Sequence, residues 1–227
     1  MGRLAGDIKK RKVSALRNSL LKWYEKEARD FPWRRTRDPY KVLVSEILLQ
    51  KTTSKQVSGI YRPFFERYPS VRELAGTSTG EIKEIVGKLG LEKRADFLKE
   101  AANKIVNEYG GKIPESPEFL KSLKGVGNYV CNSVLCFAFG VPCHIVDNNV
   151  ARVLRRYFGL DSTKRAHSDK ELWKVAERVL PLKKFREFNY ALLDFAALIC
   201  KPKNPLHEQC PLKKLCIYYR KTGATKQ

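Results

Sequence analysis

The chain has 227 residues, 43% of them apolar, which is enough for one large domain or two small ones with a buried core. Its 45 Lys and Arg residues outnumber 24 Asp and Glu residues, giving a formal net charge of +21. This excess fits a nucleic acid, an anionic membrane surface or a heat-adapted protein rich in ion pairs. Heat adaptation explains many charges of both signs but not the imbalance, so nucleic acid is the favoured partner.

No segment has the pattern of a membrane span or a secretory leader. The first twelve residues are basic and no apolar stretch follows them, so we expect no signal peptide. The longest apolar run, residues 130–146, is interrupted by polar residues, glycine and proline. It is therefore not expected to cross a membrane.

Nearly every segment shows the spacing of an amphipathic helix. Asp38 and Pro39 suit the N-cap and the first turn of one helix. Two later helical patterns end at Gly90 and Gly110, because glycine readily adopts the left-handed backbone that closes a helix.

The second half of the chain continues the helical pattern. Ser116 begins a short helix, and Ser168 with Glu171 has the spacing of a capping box. We find no alternating strand pattern and no turn between strands. The sequence therefore predicts an all-α protein.

A glycine-rich turn, Gly125-Val126-Gly127, lies between two of these helical segments. Two glycines in three residues allow a turn that other residues resist and let the main chain approach a partner closely. A helix that opens at Asn128 presents free backbone N–H groups, which suit a phosphate. Residues 125–128 are therefore candidate DNA contacts.

Residues 123–156, LKGVGNYVCNSVLCFAFGVPCHIVDNNVARVLRR, resemble the helix-hairpin-helix-Gly-Pro-Asp motif of the endonuclease III superfamily of DNA glycosylases. In place of the usual Gly and Pro, the residues before the aspartate are His144-Ile145-Val146. The resemblance extends from about residue 20 to residue 219.

The resemblance implies two helical lobes. Residues 30–140 would form a six-helix barrel with the helix-hairpin-helix, and residues 1–29 plus 141–227 an iron–sulfur cluster lobe. The cleft between the lobes would bind DNA, with Tyr129 on one wall and Asp147 on the other.

Asp147 is the candidate catalytic carboxylate. Base excision requires the base to be flipped out of the duplex, and the transition state resembles an oxocarbenium ion that a carboxylate stabilises. Asp147 equally suits the N-cap of the helix that follows it, and the two roles are compatible.

Position 129 bears on the type of reaction. Bifunctional members of the family carry a lysine here, and its amine forms a Schiff base with the sugar. Tyr129 cannot form an imine, so the resemblance implies a monofunctional enzyme with little or no lyase activity. Alternatively, Tyr129 is an aromatic residue packed at a helix start. Lys51 and Lys124 are the alternative candidates for a weak lyase activity.

Glu46 lies within an apolar helical stretch. A buried carboxylate has a raised pKa and can act as a general acid; alternatively, Glu46 is a surface residue paired with Lys41 or Lys51. The stretch resembles the matching helix of the mismatch-specific branch, where a glutamate assists departure of the base and Gln50 fills the helix near the estranged base. Lys51 is a further candidate DNA contact.

Three other positions are candidate DNA contacts. Leu91 resembles the wedge residue that helps to hold the kinked duplex. Asn149 and Arg152, one turn into the Asp147 helix, would contact the sugar-phosphate backbone or support the structure.

The six cysteines form two groups. Cys131, Cys136 and Cys143 have the character of small buried apolar side chains. The second group has three cysteines and a histidine in the C-x6-C-x2-C-x5-C spacing of the family's iron–sulfur loop, with histidine at the second position. These residues are Cys200, His207, Cys210 and Cys216.

This ligand set has three interpretations. Three thiolates and an imidazole could hold a [4Fe–4S] cluster, which the spacing favours, while Cys3His ligation would also satisfy zinc. A loop without metal is the third. A bound metal would stabilise a lysine-rich loop that meets phosphates.

The resemblance leaves the target base open between two branches. Tyrosine at position 129 occurs in G·T mismatch glycosylases and in adenine glycosylases that act opposite 8-oxoguanine. Gln50 and residues 31–34 have adenine-glycosylase character. However, Leu91-Glu92 replaces the usual tyrosine pair of those enzymes, and the chain ends 11 residues after Cys216, so we expect their additional C-terminal domain to be absent.

We therefore expect removal of thymine or uracil opposite guanine, with adenine opposite guanine or 8-oxoguanine as the alternative. A non-catalytic helix-hairpin-helix DNA-binding module is a third class, but it would not need Asp147, Tyr129 and Glu46. The partner would be double-stranded DNA containing a mismatch, bound by a monomer. Its location would be the cytoplasm, with the nucleoid, in a prokaryote, or the nucleus in a eukaryote.

Overall fold

The computed structural model describes residues 8–90 and 92–222, so Leu91, one of the predicted DNA contacts, lies outside the described residues. All regular structure in these ranges is helical, which confirms the predicted all-α class. None of the described helices has the length and apolar character needed to cross a membrane.

The described residues form twelve α-helices. They are α1 Lys10–Glu27, α2 Pro39–Leu49, α3 Ser54–Arg67, α4 Val71–Gly76, α5 Thr79–Val86, α6 Lys93–Tyr109, α7 Pro117–Ser122, α8 Asn128–Val134, α9 Asn148–Phe158, α10 Lys170–Val179, α11 Phe185–Leu198 and α12 Ile217–Thr222. Short 3-10 turns occur at Pro32–Arg34, Gly87–Leu89, Ala166–Ser168 and Lys213–Leu215, and a π-helical turn, Leu135–Phe139, follows α8.

The chain divides into two compact units. One is Asp30–Val141, which includes α2 to α8; the other combines Met1–Arg29 with Pro142–Gln227 and includes α1 and α9 to α12. The assignment of residues 30–140 to a six-helix barrel with the helix-hairpin-helix stays a prediction. The same holds for the assignment of residues 1–29 plus 141–227 to an iron–sulfur cluster lobe.

Helix α2 is the central helix of the Asp30–Val141 unit. Residues 42–48 are all buried, and the helix packs against α3, α6 and α8. A helix that is apolar on all sides is stable only when other helices surround it. Its N-terminus is set as predicted, because the Asp38 side chain accepts a hydrogen bond from the Tyr40 backbone N–H (2.9 Å) and Pro39 occupies the first turn.

The ends of the neighbouring helices follow from local residues. Thr53 and Ser78 each form a capping box, at α3 and α5. Ser116 caps α7 through the Phe119 N–H (3.1 Å). The predicted terminations at Gly90 and Gly110 are confirmed, since both adopt a left-handed backbone after helical turns.

In the second unit, α1, α9, α10 and α11 enclose one apolar core. Leu16, Leu154, Val175 and Phe195 lie at its centre and are essentially inaccessible to solvent. An ion pair joins the segment after α1 to α11, because Arg29 Nε lies 2.6 Å from Oδ1 of the fully buried Asp194, while the Arg29 side chain is partly exposed.

The predicted capping box of Ser168 and Glu171 is wrong. The N-cap of α10 is Asp169, whose Oδ1 accepts a hydrogen bond from the Leu172 N–H (3.1 Å). The Ser168 hydroxyl instead donates to the Arg165 carbonyl (3.1 Å).

The reason lies in contacts from residues farther along the chain. Asp169 is 3% exposed, and its Oδ2 accepts hydrogen bonds from Arg155 Nη2 and from Ser162 Oγ, both at 2.7 Å. Burial alone would raise the pKa of Asp169, but these hydrogen bonds and the Arg155 charge hold it below its usual range.

We predict that Asp169→Asn lowers the free energy of unfolding by about 3 kcal/mol at pH 7, because asparagine retains the cap but leaves the partly buried Arg155 without its counter-charge. The folded-state pKa is depressed, so the stabilisation is present above the unfolded pKa of about 4 and is lost as pH falls through the folded pKa. Urea unfolding of both proteins at pH 7 and at pH 3.5 measures the difference.

The matched control is Asp161→Asn, an exposed aspartate of the same unit. It should change the free energy of unfolding by less than about 0.5 kcal/mol at either pH. An Asp169→Asn deficit that stays constant with pH would contradict the electrostatic explanation.

Candidate functional site

The glycine-rich hairpin is fixed by close packing in the Asp30–Val141 unit. Gly125 has φ +81°, and a Cβ at this position would lie 2.6 Å from Cδ2 of Phe97 on α6. Val126 is buried, and its N–H donates to the Leu123 carbonyl (3.1 Å). A glycine is therefore required at position 125 by both backbone conformation and space.

The first turn of α8 is open to a ligand. Its N-cap is Gly127, which provides no side-chain hydrogen bond, and both Gly127 and Asn128 are exposed. The leading backbone N–H groups of a helix have no partner within the helix and carry partial positive charge. The predicted role of residues 125–128 in phosphate binding is compatible with this geometry and stays a prediction.

Gln50 connects the end of α2 to the hairpin. It is the C-cap residue of α2, and its Nε2 donates to the Gly125 carbonyl at 2.7 Å. In the structure the Gln50 amide positions the hairpin, and its predicted contact to DNA stays a prediction. Lys51 is exposed and has φ 53°, a left-handed conformation that is uncommon for residues other than glycine.

Two of the predicted catalytic residues lie on helices that pack together. Glu46 is on α2 and is 4% exposed, so the alternative of a surface glutamate is wrong. Tyr129 is half-buried in the first turn of α8, which packs against α2. The catalytic roles of both residues stay predictions.

Asp147 is the N-cap of α9, in the other unit. Its Oδ1 accepts from the Val150 N–H and its Oδ2 from Asn149 Nδ2, each at 2.7 Å. The capping role is therefore established by the structure. Asp147 remains only partly buried, so the carboxylate keeps access to solvent.

Arg152 links α9 to the end of α11. Its Nε donates to the Cys200 carbonyl and its Nη2 to the Ala196 carbonyl, both at 2.8 Å, and Nη1 donates to Asn149 Oδ1 (3.1 Å). Burial lowers the pKa of Arg152. Of the two predicted roles, the structural one is supported for both Arg152 and Asn149, and a contact to DNA stays a prediction.

Arg156 is a residue that sequence reasoning missed. Its Nη1 donates to the Lys201 carbonyl (2.7 Å) and lies 3.5 Å from Cys200 Sγ, while Nη2 donates to the Pro202 carbonyl (2.9 Å). The guanidinium carbon lies 4.4 Å from the centre of the Tyr218 ring. The only sequence signal was its spacing of four residues from Arg152, which puts both on one helical face.

The predicted metal ligands line one cavity. Its volume is about 30 Å³, and its walls include Cys200, His207, Cys210 and Cys216. His207 Nε2 is buried and has no hydrogen-bond partner among the described residues. Such a nitrogen is suited to a ligand that approaches through the cavity.

The thiols of this cavity are partly buried. Burial raises the pKa of Cys210 to about 11 and also raises that of Cys216, whose Sγ lies 3.5 Å from the Arg156 carbonyl. Within the described chain, no group of three or more His, Cys, Asp or Glu residues is arranged to hold a metal ion.

The end of α9 is packed tightly against the helix that follows the last cysteine. Gly159 closes α9 with φ +71°, and a Cβ here would lie 2.7 Å from Cγ2 of Ile217. Position 159 therefore requires glycine. The C-terminal end of α9 thus also packs against the residue that follows Cys216.

Comparison with known families gives two matches. Residues 44–178 match the profile described as HhH-GPD superfamily base excision DNA repair protein. Residues 200–216 match the iron-sulfur binding domain of endonuclease III, which supports a [4Fe–4S] cluster in this segment.

Relatives over the whole chain agree with these matches. A thymine/uracil-DNA glycosylase from Methanothermobacter thermautotrophicus is 43% identical and covers 94% of this chain and 96% of its own. An adenine DNA glycosylase from Homo sapiens is 38% identical and covers 90% of this chain but 39% of its own.

Among solved structures, a thermostable thymine-DNA glycosylase superimposes with a TM-score of 0.89. It is 42% identical and covers 93% of this chain and 98% of its own. The predicted resemblance and fold class are confirmed, and the chain belongs to the HhH-GPD superfamily of base excision DNA repair proteins as a DNA glycosylase.

Proposed function

We propose that this glycosylase is monofunctional and hydrolyses the N-glycosidic bond of thymine or uracil opposite guanine. The observation that carries this proposal is the 43% identity with a thymine/uracil-DNA glycosylase over nearly the full length of both chains. The substrate would be double-stranded DNA containing the mismatch, bound by a monomer.

The formal net charge of +21 and the open first turn of α8 support binding to the duplex backbone. Phosphate contacts position a protein on DNA but carry no sequence information. Recognition of the base therefore depends on flipping it out, which costs least at a mismatch.

Asp147 acts on the sugar in this proposal. Its two oxygens are held by the Val150 N–H and by Asn149, which fixes the direction of the carboxylate. A carboxylate fixed in this way stabilises positive charge as the glycosidic bond breaks, without reorganising during the reaction. It also orients the water that completes hydrolysis.

Tyr129 and Glu46 have separate roles. Tyr129 has no amine, so it cannot form a Schiff base, and the product is an intact strand with an abasic site. Lys124, considered as a source of lyase activity, has Nζ 2.9 Å from Glu100. Glu46, buried on α2, assists departure of the base as a general acid.

Cys200, His207, Cys210 and Cys216 are the proposed cluster ligands. All four line one cavity and His207 Nε2 is unpartnered among the described residues, which supports them as ligands although their side chains are not gathered around one point, and histidine replaces cysteine in some iron–sulfur centres. When bound, the cluster stabilises the loop. Arg156 holds the Lys201 and Pro202 carbonyls and so fixes the backbone of that loop.

The proposal has two alternatives, one for the base that is excised and one for the bound metal, and the experiments below distinguish them. The human adenine DNA glycosylase is 38% identical, which keeps excision of adenine opposite guanine or 8-oxoguanine as the second candidate. Zinc bound by the same Cys3His set is the alternative to the cluster.

We predict that Asp147→Asn lowers the rate of excision by roughly 10²–10⁴-fold and changes DNA affinity by less than about threefold. Asparagine is as good an N-cap as aspartate, so α9 remains intact and only the charge is removed. End-labelled duplexes carrying G·T, G·U, A·G and A·8-oxoguanine, each read with and without hot alkali, measure excision. Fluorescence anisotropy measures binding.

Asp169→Asn serves as the control, because it removes a carboxylate of the same unit that has a structural partner. Assayed below its melting temperature, it should retain excision. Cleavage of only the adenine-containing duplexes by wild type would reassign the target base. An active Asp147→Asn variant would remove Asp147 from the mechanism.

We predict that Tyr129→Lys forms a covalent adduct with the substrate that borohydride traps, whereas wild type forms none. The lysine amine at the first turn of α8 attacks C1′ of the sugar, and the base leaves as its N-glycosidic bond breaks. The sugar ring then opens to give an imine, which borohydride reduces to a stable amine. Denaturing gels of labelled G·U duplex reveal the adduct. Lys51→Arg and Lys124→Arg in the wild-type background test the two native amines, and a wild-type adduct would contradict the monofunctional assignment.

We predict that His207→Ala loses more than half of its bound iron, whereas His207→Cys retains it, because cysteine restores the usual fourth ligand. Iron and zinc per protein chain, measured by elemental analysis together with visible absorbance, provide the readout. Full iron in His207→Ala would show that His207 is not a ligand. One zinc per chain without iron would establish the zinc alternative.

A further inference from the structure

A second cavity lies among the start of α1, the end of α9 and α12. Its volume is about 510 Å³, within the range of roughly 300–1,000 Å³ that is usual for ligand pockets. Four apolar residues line it, Ile8, Phe158, Leu215 and Ile217, and of these Ile8 and Phe158 are buried while Leu215 and Ile217 are accessible.

The cavity is separate from the proposed chemistry. None of its lining residues lines the cysteine cavity, and neither Asp147 nor any proposed DNA contact belongs to it. Its function is therefore not explained by base excision or by the cluster.

The described polar residues that line the cavity are all basic. They are Lys9, Arg11, Lys12 and Arg220. Among the residues that the structure describes, the lining includes no acidic one, so this part of the cavity is positive around an apolar interior. This combination favours an anion that also carries an apolar group.

One of the four cations is already engaged. Lys12 Nζ donates to the Tyr157 carbonyl (2.6 Å) and lies 4.7 Å from the Tyr157 ring centre and 5.4 Å from that of Phe158. Lys9, Arg11 and Arg220 are exposed, and none of them forms an ion pair with any residue that the structure describes. These three are available to a partner.

The walls argue against nucleic acid as the occupant. Duplex phosphates offer no apolar group to fill the interior. Single-stranded bases prefer exposed aromatic faces, but Phe158 is 2% exposed, and the accessible apolar residues of the lining are the aliphatic Leu215 and Ile217. An aliphatic pocket beside free cations instead suits a peptide with a bulky apolar side chain and flanking carboxylates.

We propose that this cavity binds an acidic segment of a partner protein. One leucine or phenylalanine of the segment enters between Leu215 and Ile217, and its neighbouring Asp and Glu residues pair with Lys9, Arg11 and Arg220. The proposal does not depend on which base the enzyme excises.

The test uses two fluorescein-labelled dodecapeptides made of Asp and Glu, one with Leu-Phe at its centre and one with Ser-Ser. Anisotropy titrations with the full-length protein give the dissociation constants. The Leu-Phe peptide should bind at least tenfold more tightly than the Ser-Ser peptide. Equal affinities would show that the apolar walls are not used and would overturn the proposal.

Variants of the protein test whether the peptide binds at this cavity. Combined Lys9→Glu, Arg11→Glu and Arg220→Glu should weaken binding of the Leu-Phe peptide at least tenfold. The matched control reverses three exposed cations elsewhere in the same unit, Lys164→Glu, Arg165→Glu and Lys170→Glu, and should change it less than threefold. Equal losses would indicate general attraction to a positive protein and would overturn the proposal.

Two further measurements distinguish an acidic peptide from other occupants of the cavity. If a dT12 oligonucleotide competes for the cavity and the Leu-Phe pair adds nothing, the site binds nucleic acid and the proposal fails. If the peptide binds only after residues 1–7 are removed, the natural occupant is that segment, and the proposal also fails. Circular dichroism confirms folding, and Arg220→Glu alone replaces the triple variant if the triple variant does not fold.

Discussion

The unit that combines residues 1–29 with 142–227 depends on hydrogen bonds from two arginines of α9 to backbone carbonyls at the end of α11 and just after it. Arg152 holds the carbonyls of Ala196 and Cys200, and Arg156 holds those of Lys201 and Pro202. Guanidinium groups suit this purpose because they offer several donors in a fixed plane. The first cysteine of the loop is thus oriented by the same helix whose N-terminus carries the proposed catalytic carboxylate.

In the Asp30–Val141 unit, the hairpin is positioned by a different interaction. The side chain of Gln50 reaches the Gly125 carbonyl, and Phe97 occupies the space that a side chain at position 125 would need. Glycine has a flexible backbone, but at position 125 the contacts with Gln50 and Phe97 leave that backbone little conformational freedom. A backbone fixed in this way loses little entropy when it meets a phosphate, which favours binding.

Local residues made much of this fold predictable. Asp38, Ser116, Gly90 and Gly110 act through their own neighbours in sequence, so their roles as caps and terminators could be inferred directly. The prediction at Ser168 was wrong because Arg155, from another helix, favours the carboxylate one residue later.

The candidate site was likewise predictable only where its features depend on residues close together in the sequence. The spacing of the cysteines and the aspartate after the hairpin were visible in the sequence, as was the tyrosine in place of lysine. The partners of Gln50, Arg152 and Arg156 were not, because each contacts a backbone carbonyl at least 44 residues away. Carbonyls are present at every residue and leave no signature in composition or pattern.

The arginine contacts of α9 also restrict how this helix can change in evolution. Each residue inserted into an α-helix rotates everything beyond it by about 100°. A single insertion between Asp147 and Arg152 would therefore turn the carboxylate away from its present direction while the arginines kept their hold on the loop. The number of residues between Asp147 and Arg152 is therefore fixed, and divergence in this segment should proceed by replacement of residues and not by insertion or deletion.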